Sequence, residues 1–160
     1  MFLEFAGNKQ SRTIKIKLEV DTNPPKGSID ERKIIDFPYI SSIMCQNLPS
    51  LFAGKIHALL CRDHIKGRDW YEFLWYTARQ TSINYTFLQN AIYQSGPWKG
   101  EDIAVNHTWC IEELSSKIKQ IDWSFAAQDV QRFLKPIEIA SLSLWDDFLF
   151  LEQLKKIPNH

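Results

Sequence analysis

The chain has 160 residues, enough to bury a hydrophobic core within one domain, and its 19 lysines and arginines balance 19 aspartates and glutamates. That neutrality argues against a strongly basic nucleic-acid-binding domain, although it leaves room for a local basic groove. Ten phenylalanines and six tryptophans point to a well-filled core or an interface.

In chain order, Phe2 to Phe5 is a short apolar stretch suited to a strand, and Gly7-Asn8 offers a turn. From Ile14 to Asp21 the alternation is clean: Ile14, Ile16, Leu18 and Val20 point one way, Lys15, Lys17, Glu19 and Asp21 the other. The two segments can pair as a hairpin with one face on a core. Asn23-Pro24-Pro25 ends the strand, because proline supplies no ladder donor. Residues 26–49 read as irregular chain with one more short strand around Ile34 to Ile40. After Pro49 the period becomes helical. Phe52, Ile56, Leu59 and Leu60 form a stripe on a helix ending near Lys66-Gly67, and a second helix from Arg68 carries Trp70, Phe73, Leu74 and Thr77. Asn84 to Tyr93 makes a third; Ile111, Leu114, Ile118 and Ile121 mark a fourth; Ser124 is placed to cap a fifth holding Phe125, Val130, Phe133 and Leu134. Ser143 with Asp146 is an S-x-x-D capping box before the last helix.

The expected fold class is therefore α+β: short N-terminal antiparallel strands over residues 1–48, then a mainly helical bundle over 49–160, packed as one compact domain. A two-stranded ribbon is marginal alone, so it either packs on the helices or is the edge of a larger sheet. Cys45, Cys61 and Cys110 are too far apart for a CxxC unit and fit reduced thiols. No apolar run approaches the roughly 20 residues that span a bilayer, and MFLEFAGNKQ is too short and acidic for a signal peptide. The expected location is cytoplasmic, with no membrane partner.

Two groups of polar residues carry candidate chemistry. Glu19 and Asp21, two apart on a strand, face the same way, and with a further carboxylate they can coordinate magnesium through oxygen. Asp21 can equally begin a turn, and this face can equally be solvated. Downstream, Lys55, Leu59 and Arg62 share a side of the first helix, while Asp69, Glu72 and Tyr76 share a side of the second. Arg68 and Asp69 lie at the start of that helix, where free amides favour an acid or a bound phosphate. Lysine or arginine there can offset a triphosphate, or Arg68 or Arg62 can simply pair with Asp69 or Glu72 on a solvent face. His57, Cys61 and His64 share a helical face but lack an obvious fourth zinc ligand.

The stretches IKIKLEVDTNPP (Ile14 to Pro25), FAGKIHALLCRDHIKGRDWYEFLWY (Phe52 to Tyr76), WSFAAQDVQRFL and LWDDFLF together resemble the AbiEii/AbiGii-type nucleotidyltransferase toxins, within the polymerase-beta-like nucleotidyltransferase superfamily. The resemblance implies a Gly-Ser signature and an Asp-x-Asp pair that bind nucleotide and metal, with a third acid on a following strand. That third acid maps onto Glu19-Val20-Asp21, with Glu19 favoured, making Glu19 and Asp21 the implied catalytic and metal residues. The family lysine matches Lys55, expected at the triphosphate, and its Arg-Asp motif matches Arg68 and Asp69. Lys55 and Asp69 are thus implied catalytic residues, and Lys55, Arg62, Arg68 and Glu72 implied nucleotide contacts. The later acid, usually aspartate, is Glu72 here, which moves the carboxylate about 1.5 Å, enough to matter where a reactant is positioned.

No Gly-Ser leads to Asp-x-Asp in this sequence; Gly27-Ser28 leads only to Asp30-Glu31, after the third-acid strand. The expectation is a C-terminal portion of such an enzyme, residues 1–48 being a remnant of its nucleotidyltransferase core. The intact form would use Mg2+ and NTP to transfer a nucleotidyl group to a hydroxyl, with RNA as one acceptor. This chain alone is expected to bind neither cofactor and to be inactive. The alternative is a non-catalytic interaction module that meets an antitoxin or a missing N-terminal segment.

Overall fold

The computed structural model describes residues 17–159 and, before them, the backbone of Phe2–Leu3 and Ile14–Lys15. Those two short strands, β1 (Phe2–Leu3) and β2 (Ile14–Lys15), pair antiparallel, Phe2 opposite Lys15 and Leu3 opposite Ile14. The expected turn at Gly7-Asn8, and Ile16, lie outside the described residues. The expected strand through Asp21 needs correction, because Lys17 to Asp21 are not extended into any ladder. No described strand lies opposite them, so their backbone groups face water, and Leu18 and Val20 are 80% and 84% exposed. Asp21 instead accepts the Asn23 N–H at 2.9 Å, a local side-chain turn that leads into Pro24-Pro25.

A second hairpin replaces the irregular connection expected over 26–49. β3 (Asp30–Ile35) pairs antiparallel with β4 (Ser41–Gln46), in a register running from Asp30 opposite Gln46 to Ile35 opposite Ser41. The expected strand at Ile34 to Ile40 instead straddles its loop, because Pro38 has no N–H for a ladder and leaves residues 36–40 as the turn. The two ribbons remain separate two-stranded sheets.

The root of this second hairpin is tied to the helices by side-chain amides. Asn84, Asn90 and Gln94 donate to the carbonyl oxygens of Gly27, Lys26 and Asn23 at 2.8, 2.9 and 2.6 Å. Ser50, fully buried, accepts from the Ile29 N–H and from Asn84, both at 3.0 Å. Gly27 has a φ of +96° here, which a side chain would strain.

Then come the helices. α1 (Leu48–Cys61) starts earlier than the apolar stripe suggests, because Asn47 caps it through the Ser50 N–H at 3.0 Å and Pro49 suits the first turn. It also ends earlier, at Cys61. Arg62 is extended, and residues 62–66 turn the chain so that α2 (Gly67–Ala78) folds back on α1. α3 (Tyr85–Gln94) and α4 (His107–Ile118) are capped by Asn84 and Asn106. α5 (Trp123–Gln131) is capped by Asp122, not Ser124, whose hydroxyl donates to Asp122 instead. α6 (Pro136–Ile139) runs into a 3-10 turn, Ala140–Leu144, and α7 (Asp147–Leu154) is capped by Asp146. The capping box is thus misplaced: Ser143 lies in the 3-10 turn and donates to the Ala140 carbonyl.

The architecture is α+β, antiparallel strands followed by a mainly helical bundle. Its core is aromatic. Trp123 stacks on Phe150 at 3.8 Å between ring centres, and Trp70 meets both rings edge-on. Phe52, Phe73 and Tyr76 extend this cluster to α1. The Trp123 indole N–H is buried without an acceptor among the described residues, a cost of about 1–3 kcal/mol that this packing offsets.

Candidate functional site

α1 and α2 lie side by side, so Lys55 on one faces Asp69 and Glu72 on the other. The Lys55 ammonium reaches Asp69 Oδ1 and Glu72 Oε2, each at 2.7 Å. Arg62, at the end of α1, pairs with the other oxygen of Asp69. Arg68 Nε bonds Glu72 Oε1 at 2.9 Å. Three cations and two carboxylates thus form one connected network with one positive charge in excess. It is not a set of solvent-face pairs: Asp69 is buried and the Lys55 side chain is only 17% exposed, while Arg68 stays largely in water.

The electrostatics follow from this burial and pairing. Burial alone would push Lys55 down, but the hydrogen bonds it donates to Asp69 and Glu72 outweigh it and raise the ammonium above its usual value. Burial alone would push Glu72 up, but the bonds from Lys55 and Arg68 prevail and hold it below the usual carboxylate range. Lys55 is therefore a fixed positive charge at neutral pH and no general base. Tyr76 borders the pair; burial, then the charge of Glu72, raises its hydroxyl, and its ring stacks on Phe52 at 4.6 Å.

One feature of this corner lay beyond sequence reasoning. The first amide of α2, Gly67 N–H, donates to Asp129 Oδ2 of α5 at 3.0 Å. A carboxylate of the protein itself thus takes the first amide of the helix N-terminus, where the sequence suggested an acid or a bound phosphate. The two helices touch so closely that a methyl group on Gly67 would overlap the Ala126 carbonyl oxygen. Sixty-two residues separate Gly67 from Asp129, and no local pattern signals that pairing.

Lys55, Arg62, Arg68, Asp69 and Glu72 are thus brought together. Glu19 and Asp21 are placed apart from that network: Glu19 pairs with Lys17 and is exposed, and Asp21 holds its own turn. Among the described residues no group of three His, Cys, Asp or Glu side chains could hold a metal ion. Asp69 and Glu72, each already held by two cations, do not suit magnesium either. His64 lies beyond the end of α1, off the face it was expected to share with His57 and Cys61, and His57 faces Ser95. Burial pushes the Cys61 thiol up to about 11 and Cys110 to about 12, which leaves both protonated and inert at neutral pH. Among the described residues no helix is long and apolar enough to cross a membrane.

The polar centre of this α+β chain is a lysine held by two acids and flanked by two arginines. The family model described as "Nucleotidyl transferase AbiEii toxin, Type IV TA system" matches residues 1–150, and the chain belongs to that family. No curated protein and no solved structure matches it.

Proposed function

We propose that this chain supplies the phosphate-handling half of a nucleotidyl transfer site, with Lys55 as its central cation and Arg62 and Arg68 beside it. The observation that carries this reading is the connected network of three cations and two acids, held rigidly by two packed helices. A triphosphate approaching Arg62 and Arg68 meets donors already oriented by Asp69 and Glu72 and gains from the excess positive charge. As pyrophosphate departs, Lys55 and the arginines would hold its charge. Asp69 positions Lys55 and Arg62. Enzymes of this kind work with magnesium, but the described carboxylates do not assemble a site for it. Glu19, with Asp21 as second choice, remains our candidate for the acid that activates the acceptor hydroxyl.

Within these 160 residues no Gly-Ser is followed by Asp-x-Asp. The chain by itself therefore binds NTP weakly and transfers nothing. Incubation of purified chain with Mg2+, RNA and α-labelled NTPs is expected to leave the RNA unlabelled. Robust labelling that disappears in Glu19→Ala would overturn this. The cellular setting we propose is cytoplasmic.

A second reading is favoured by the β3–β4 hairpin, where Ile34, Phe37, Tyr39, Ile40 and Met44 are all more than half exposed. An apolar surface of this kind marks a protein contact, and the cognate antitoxin is the proposed partner. On this reading Ile40→Lys abolishes complex formation with the antitoxin and leaves NTP binding unchanged; equal loss in Lys55→Ala would argue against a separate docking arm.

A further inference from the structure

Beside the ion network, on its α5 side, lies a cleft of about 270 Å³ lined by Arg68, Tyr71, Glu72, Val130, Phe133 and Leu134. We infer that this cleft is the base subsite of the nucleotide, taking a purine or pyrimidine ring between Tyr71 and Phe133 while the phosphates lie toward Lys55. The inference rests on the phosphate-handling reading above and adds to it the part of the ligand that gives specificity.

The chemistry of the walls supports a flat, polar-edged ring. Val130, almost fully buried, and half-buried Leu134 make an apolar floor. Tyr71 and Phe133 bring two aromatic rings to the same cleft, and Phe133 is 58% exposed although Arg132 sits over its ring at 4.8 Å. Exposed aromatics next to a charged cluster are platforms for base stacking. The polar rim is Arg68 with Glu72. Arg68 uses only its Nε toward Glu72, so its two terminal nitrogens can donate to a ring carbonyl. Glu72 keeps lone pairs for an exocyclic amine, although Arg68 and Lys55 each take one of its oxygens. Guanine and cytosine present both groups, a carbonyl and an amine, on one edge.

Size and continuity argue the same way. Ligand pockets usually enclose about 300–1,000 Å³, so this cleft suits one ring system and not a whole nucleotide. Glu72 also belongs to both sites, touching Lys55 with Oε2 and Arg68 with Oε1, so a ligand on the rim continues directly into the cation network.

Amide-resolved NMR titration of the 160-residue chain with guanosine and, separately, with tripolyphosphate tests this. Guanosine is expected to shift amides of Tyr71, Val130, Phe133 and Leu134. Phe133→Ala should weaken guanosine about tenfold or more, the scale of one base–aromatic stack, and leave tripolyphosphate unchanged. Phe133→Tyr should keep guanosine binding, and Lys55→Ala should weaken tripolyphosphate alone. If tripolyphosphate binds but guanosine does not, or if guanosine ignores Phe133→Ala, the base subsite is overturned while the phosphate reading stands. If tripolyphosphate fails to bind, both fall.

Discussion

Asp69 and Arg68 are sequence neighbours with different jobs, and burial separates them. Asp69 is buried and holds Lys55 and Arg62 with its two oxygens, so Asp69→Ala takes the carboxylate from Arg62 and leaves Lys55 with Glu72 alone. The expected loss is about 3 kcal/mol in urea unfolding, the scale of a broken buried pair. Arg68 reaches Glu72 from solvent, and Arg68→Ala should cost less than about 1 kcal/mol. Glu72 adds a pH dependence whose sign follows from its lowered value. Its contribution is fully present above the ordinary glutamate range near 4.5 and is lost as pH falls through the folded-state value. Glu72→Gln should therefore melt below wild type at pH 7, and the gap in Tm should close on acidification toward pH 3. A gap of constant size would mean that the charge of Glu72 stabilises nothing.

At the scale of elements, the α2–α5 joint sets the site. Gly67 lets the backbone of α2 touch the Ala126 carbonyl, and Asp129 fastens the first amide. Gly67→Ala must push α5 away or tilt α2, at a cost of about 1–3 kcal/mol for overpacking, and should weaken polyphosphate binding because Arg68 and Asp69 follow directly. Unchanged unfolding and binding would refute this close approach. From sequence, Gly67 reads as a helix stop, and it is instead the first residue of α2. Helix periods were legible because the apolar stripes of α1 to α5 repeat regularly. The ends were less legible. Asp122 and Asp146 took the caps assigned to Ser124 and Ser143, and α1 stopped at Cys61, where Arg62 turns extended, short of the end expected near Lys66-Gly67.

Across the whole molecule, the order of strands then helices was readable from the switch between period 2 and period 3.6. The β3–β4 hairpin was not readable, because its apolar residues are exposed and carry no alternation between a buried and a solvated face. The candidate site was half legible: helical spacing put Lys55 with Arg62 on one side of α1 and Asp69 with Glu72 on one side of α2, but nothing local revealed that the two sides meet, nor Asp129, Tyr71 or the Phe133 side of the cleft. Glu19 shows the converse, a residue whose implied role depends on a strand that the described structure does not build. The proposed role of Lys55 as a phosphate contact is best tested by calorimetric titration of magnesium-free NTP into wild type and Lys55→Ala, with folding of both checked by melting. Wild type should bind weakly and measurably, and Lys55→Ala about tenfold or more weaker, the scale of one charge-assisted contact. Equal affinity in two folded proteins would contradict the account.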